Sequence, residues 1–273
     1  MLNFFIEILS YPFMVRAIVV GIFVSLCAAL LGVSLVLKRY SMIGDGLSHV
    51  GFSALAIAIV MNWTPLAVSI PVVVIAAFLL LRLSANSKIR GDAAIALIST
   101  TALAVGVMVI SITTGINTDV CNYMFGSVLA MNQSDVNLSI VLSIVVLIMF
   151  VVFYNKIFTV TFDENFARAT GTNVDLYNML LAILTAITIV IGMRMMGALL
   201  ISSLIIFPAL SSMRVFKCFK SVVINSAIIS IICFIIGIVV SYIYATPTGP
   251  SVVIVNLIFF VLYSIIGFAR ENI

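Results

Sequence analysis

Nine apolar runs, each near the length of a bilayer-crossing helix, recur along this 273-residue chain. A helix rises about 1.5 Å per residue, so the roughly 30 Å hydrocarbon layer takes about 20 residues. The runs lie near 15–37, 48–62, 66–82, 93–114, 136–155, 176–193, 197–213, 221–243 and 251–269. The longest breaks, 83–92, 115–135 and 156–175, are too short to hold a soluble domain. Composition agrees: 64% of residues are hydrophobic and 8% charged, where soluble domains carry about 25% charged residues. Too few polar side chains remain to cover a water-facing surface. The expected fold is all-α, a polytopic transmembrane bundle of about eight or nine spans, with short members broken or re-entrant. It forms one membrane domain over residues 1–273.

The net charge of +4 is topological and does not point to nucleic acid. With the N-terminus outside, the inside segments hold Lys38, Arg39, Arg82, Lys88, Arg90, Lys156, Arg168, Arg214, Lys217, Lys220 and Arg270. The outside holds Arg194, with Arg16 at the first boundary. This is a strong positive-inside bias and predicts an N-out, C-in multi-pass membrane chain. Glu7 ahead of the first run argues against a cleaved signal. The cysteines at 27, 121, 218 and 233 form no CxxC pair, which leaves them as small packing residues.

The one histidine, His49, follows Asp45 by four residues. On a helix that spacing puts both on one face. Carboxylate and imidazole suit borderline divalent metals, and ionisable groups at membrane depth mark function. Two readings stand here: Asp45 is a metal ligand with His49, or it is an N-cap between Gly44 and Gly46 with His49 in the first turn of the second span.

Three further stretches carry possible chemistry. From Thr161 to Gly171 the chain reads as a short amphipathic helix on the cytoplasmic face. Thr161 would cap it, Asp163 and Glu164 fill its first turn, and Gly171 ends it. Phe162 and Phe166 fall at i and i+4, so the segment is either a plain interfacial helix or a docking helix for a soluble partner. In Gly197-to-Ser212, Pro208 interrupts an apolar run and predicts a kink or break, either structural or lining a cavity. Asp119, in the loop before the fifth span, sits at the outer mouth with Asp135 after it; together they could attract a cation or meet a delivery protein.

GxSxG, HExxH and Walker A motifs are missing from the sequence. Enzymatic catalysis is therefore not expected, and a transporter would draw its energy from a separate ATPase or from an ion gradient.

Together these elements resemble the membrane permease subunit of bacterial ABC importers for manganese, zinc or iron(II). The resemblance rests on Ser41-Met42-Ile43-Gly44-Asp45-Gly46-Leu47-Ser48-His49, on Asp119 to Leu129 with Tyr123-Met124-Phe125-Gly126, on Phe162 to Gly171, and on Gly197 to Pro208 with Ala209, in family order. It implies that Asp45 and His49 belong to the metal path and that no cofactor is stably bound. Phe162, Asp163, Glu164, Phe166, Ala167, Arg168 and Gly171 would form the coupling helix that meets the ATPase. Gly197, Ser202, Ser203 and Pro208 would line the pathway. The implied partners are a second permease copy, a cytoplasmic ATP-binding subunit, an extracellular metal-binding delivery protein and membrane lipid. Open alternatives are a chelate importer of the siderophore or cobalamin kind, a gradient-driven metal transporter, and a membrane-embedded enzyme.

Overall fold

The structure is a computed structural model and describes residues 12–86, 91–113 and 133–271. Asp119, Cys121 and the Tyr123–Gly126 stretch lie outside the described residues. Eleven helices are present among those described: α1 (Pro12–Leu37), α2 (Ile43–Val60), α3 (Pro65–Asn86), α4 (Gly91–Ile112), α5 (Gln133–Val152), α6 (Tyr154–Phe162), α7 (Glu164–Ala169), α8 (Val174–Met196), α9 (Ala198–Val215), α10 (Phe219–Tyr244) and α11 (Thr248–Glu271). Nine of them, all but α6 and α7, are long and apolar enough to cross a membrane. In lipid every backbone N–H and C=O must find its partner within the segment, which is why these runs become helices.

The bundle is built around α1, which packs against α5, α8, α9 and α10, while α2 packs against α3, α4, α8 and α9. Lipid tails are as apolar as leucine, so close approach and polar contacts hold the helices together. A Cβ on Gly32 of α1 would lie 2.1 Å from the Ile205 carbonyl oxygen of α9, so only glycine permits that crossing. Across helices, the Ser230 hydroxyl donates to the Ser25 carbonyl at 2.9 Å and the Cys27 thiol to the Ser143 carbonyl at 3.4 Å. Outward faces carry large apolar side chains such as Leu97, Met108, Val141, Ile148, Ile254 and Ile265. Water would penalise such a surface, and lipid accepts it.

Basic residues gather at one end. Lys38 meets Glu164 of α7, and Arg270 donates to the Val215 carbonyl at 3.4 Å. The rings of Tyr154, Phe158 and Phe162 surround Phe219 at the start of α10, with centroids 5.1–5.8 Å away. By the positive-inside rule this end is cytoplasmic. The 156–175 break is helix-filled: α6 follows α5 across Phe153 alone, and α7 follows α6 across Asp163.

Three local expectations are corrected. The second span begins at Ile43, not near 48, and its N-cap is Met42, with no side-chain capping bond. Asp45 is therefore a helical residue and not a cap. Asp163, in extended backbone, caps α7 by accepting from the Asn165 and Phe166 amides, while Thr161 ends inside α6. Pro208 does not break α9, which runs unbroken from Ala198 to Val215.

Candidate metal path and coupling segment

Asp45 and His49 lie on one face of α2, with His49 Nε2 3.6 Å from Asp45 Oδ2. That is too long for a hydrogen bond, so both keep lone pairs to offer. Asp45 sits in the first turn, where the partial positive charge of the helix N-terminus favours a carboxylate. Its side chain is 44% exposed and that of His49 19%, whereas most of α2 is buried. The pair thus marks the open strip of an otherwise enclosed helix.

The glycines around the pair bring helices close. A Cβ on Gly44 would lie 3.0 Å from Ile205 Cδ1 and 3.9 Å from Ser202 Oγ, both on α9. A Cβ on Gly46 would lie 2.7 Å from Ile95 of α4. Ser202 is half-buried beside the pair's helix, and its hydroxyl donates to the Ala198 carbonyl at 3.1 Å. Ser203 and Pro208 are buried, and the Ser203 hydroxyl donates to the Leu200 carbonyl at 2.9 Å. No group of three or more His, Cys, Asp or Glu side chains is poised to hold a metal ion among the described residues.

Gly197 is the single residue between α8 and α9, with φ 88°, a backbone that β-carbon residues resist. Along α1, Gly21 faces Met196 of α8, while Gly32 faces Ile205 of α9. The two helices therefore form a hairpin whose tip is level with Gly21. Nine residues separate Gly21 from Pro12, the first residue of α1, so the tip lies about 13 Å inside that end. Just below it, Arg194 Nη2 lies 2.7 Å from Asp135 Oδ2, with both side chains only 17% exposed. The carboxylate has charge contact without an aligned hydrogen bond. Asp135 is therefore neutralised by Arg194 and is not a free attractor at the mouth.

At the cytoplasmic end, Ala167 is fully buried against Val160, Val174 and Tyr177, anchoring α7. The helix ends in a Schellman motif: Gly171 N donates to Arg168 O and Thr172 N to Ala167 O, with Gly171 at φ 76°. Phe162 and Phe166 are 58% and 59% exposed among charged neighbours, and Arg168 pairs with Asp175 in the open. Glu164 takes hydrogen bonds from Lys38 at 2.6 Å and from Asn178 at 3.1 Å. Burial works against its ionisation, yet those bonds and the Lys38 and Arg168 charges hold its carboxyl below the usual glutamate range. Lys38 and Asn178 had no signal in the sequence beyond a basic loop and a helix start, because their partner is over a hundred residues away or on another helix.

Over nearly its whole length the chain is similar to known metal-transport membrane proteins. The chain is 32% identical to the "High-affinity zinc uptake system membrane protein ZnuB" of Haemophilus influenzae, over 90% of this chain and 94% of that protein. It is 28% identical to the "Manganese transport system membrane protein MntC" of Halalkalibacterium halodurans, over 95% of this chain and 89% of that protein. In structure it matches "PsaBC from Streptococcus pneumoniae in complex with Fab" with a TM-score of 0.86 and 26% identity, covering 96% of this chain and 95% of that one. The model of the ABC 3 transport family matches residues 10–267, and the chain belongs to that family.

Proposed function

We propose that this chain is the permease subunit of an ATP-driven importer that carries a bare divalent transition-metal ion, Mn²⁺, Zn²⁺ or Fe²⁺, into the cytoplasm. The observation that carries the reading is the Asp45–His49 pair, open on one face of a helix otherwise enclosed by α3, α4, α8 and α9. Metal–ligand bonds to oxygen or nitrogen run about 2.0–2.2 Å. Donors 3.6 Å apart then meet one ion at an angle of about 110–130° on those bond lengths. Carboxylate and imidazole replace part of the hydration shell, and two donors bind weakly enough for release.

One chain offers two of the four to six donors such ions take. A second copy of this chain, its open strip facing the first, doubles the set to four near a two-fold axis. A metal-binding delivery protein hands the ion over at the outer face. The ATPase is a separate cytoplasmic subunit; α7, with exposed Phe166, the Asp163 cap and the exposed Phe162 at the end of α6 beside it, is the coupling helix that it grips. Gly197 and Ser202 line the path on the α9 side. Relatives named for zinc and for manganese match at similar identity, so the cargo class is the divalent ion, with selectivity set largely by the delivery protein.

The test is total cellular manganese, iron and zinc under metal starvation, with and without this chain, and with only its His49→Ala form. A selective fall in one metal that His49→Ala does not restore is expected, with the variant still assembling with its ATPase. Wild-type metal levels in the His49→Ala strain would remove the pair from the path.

A further inference from the structure

The transport reading needs a mechanical link between the segment the ATPase grips and the helix that holds the metal. We infer that Lys38 is that link, a positioning residue that ties α7 to α2. The inference rests on the importer reading above and adds a residue to it.

Lys38 is the C-cap of α1. Its side chain is only 8% exposed, and its ammonium is held by two oxygens, Glu164 Oε1 at 2.6 Å and Asn178 Oδ1 at 2.7 Å. Asn178 Nδ2 also donates to Glu164 Oε1 at 3.1 Å. Three elements therefore meet at one ammonium: the α1–α2 turn, α7 and α8. Among the described residues no other ion pair joins α7 to the α1–α2 segment.

The turn that follows has little slack. Arg39 N donates to Val36 O and Tyr40 N to Leu35 O, a Schellman motif that forces Arg39 to φ 63°. Left-handed backbone is unfavourable for arginine, and it persists here because the surrounding bonds impose it. Ile43 N then donates to Tyr40 O and opens α2. Asp45 lies seven residues after Lys38, and His49 one turn further. A shift of α7 pulls Glu164, Glu164 pulls Lys38, and a hydrogen-bonded turn delivers the pull to the metal ligands. The exposed Arg168–Asp175 pair cannot do this, since it joins α7 to α8 alone and both groups are solvated.

The experiment uses the permease with its ATPase in proteoliposomes, with Mn²⁺ and Zn²⁺ as probes, and reads ions transported per ATP hydrolysed. Wild type is compared with Lys38→Met and with the charge swap Lys38→Glu/Glu164→Lys. Lys38→Met is expected to keep its ATPase bound and hydrolysing within about twofold of wild type, while ions per ATP fall about tenfold or more, within the usual size of coupling between sites. The swap should recover most of that ratio, because it restores the pair with reversed charges. An unchanged ratio in Lys38→Met overturns the inference, as does a swap that recovers nothing. Should Lys38→Met fail to assemble, the swap decides alone: restored assembly and ratio uphold the link, and failure of both refutes it. A wild-type complex without ATP-dependent uptake would instead refute the importer reading itself, before any substitution is made.

Discussion

Gly32→Ala tests whether the α1–α9 crossing sets the geometry beside the Asp45–His49 pair. The added Cβ would sit 2.1 Å from the Ile205 carbonyl oxygen and 2.9 Å from its carbonyl carbon. The first contact falls 0.9 Å short of the 3.0 Å that real Cβ atoms respect. The obstacle is backbone, so no rotamer change relieves it and α9 must retreat by about 1 Å. Overpacking of this kind costs about 1–3 kcal/mol, and helix propensity returns up to about 1 kcal/mol for Gly to Ala. The net loss is about 1–2 kcal/mol, or about 2–8 °C in thermal unfolding of the detergent-solubilised protein. Transport should fall further than stability, since the displaced Ile205 also touches Gly44, one residue before Asp45. Gly44→Ala is the control: its one tight contact would be the end of the Ile205 side chain at 3.0 Å, which can move, while Ser202 would lie at an ordinary 3.7 Å. Its stability should stay within about 0.5 kcal/mol of wild type, propensity offsetting the contact. Equal unfolding temperatures for the two variants would refute the backbone-clash reasoning.

Asp163→Ala removes the side chain that accepts from two α7 amides and should cost about 1 kcal/mol of local helix stability, read as weaker pull-down of the ATPase subunit. Gly171→Ala meets no atom within 4 Å but must adopt φ 76°, at a cost of about 1–2 kcal/mol, visible as faster amide exchange at 167–172. Glu164 is held below the ordinary 4.5 by Lys38 and Asn178 against its burial; a depressed carboxyl contributes stability that is present above the unfolded value and lost as pH falls through the folded one. Unfolding temperature should therefore drop more steeply in wild type than in Lys38→Met as pH falls below about 5 and through the depressed value, and parallel curves there would count against the contact.

The spans were legible because a bilayer imposes a demand that composition alone answers: about 20 residues without an uncompensated charge. What misled was the meaning of glycine. Gly44 and Gly46 around Asp45 read as a turn, and a turn would start the second span near residue 48. In the fold each is a contact surface, Gly44 for Ser202 and Ile205, Gly46 for Ile95, and the helix begins at Ile43. A glycine that serves a close helix crossing and one that serves a turn look alike until the neighbouring helix is known. The same limit applies to charges. Arg194 and Asp135 counted as separate outer charges, yet they neutralise each other near the hairpin tip. Thr161 read as the cap with Asp163 in the first turn, and only the extended backbone at Asp163 shows that Asp163 itself is the cap. The i, i+4 spacing of Asp45 and His49, by contrast, needed no partner helix to be read, and the structure places the two side chains on one face.

In the proposed mechanism the two polar devices of this chain sit at opposite ends of one mechanical path, and their chemistry differs as transport would require. Asp45 and His49 are 3.6 Å apart, without a hydrogen bond between them, on a partly open strip. A tight pair there would compete with the cargo, because each lone pair spent internally is lost to the ion. Lys38 and Glu164 are the reverse: a 2.6 Å contact, completed by Asn178 on both partners, with the ammonium almost wholly enclosed. A force-bearing joint has no ligand to release and gains from every bond it satisfies. Loose where the ion must come and go, and tight where motion must pass, the polar groups are distributed as an importer driven from its cytoplasmic face requires. In the proposed mechanism, tightening the first pair or loosening the second would lower the ions carried per ATP while leaving the bundle folded.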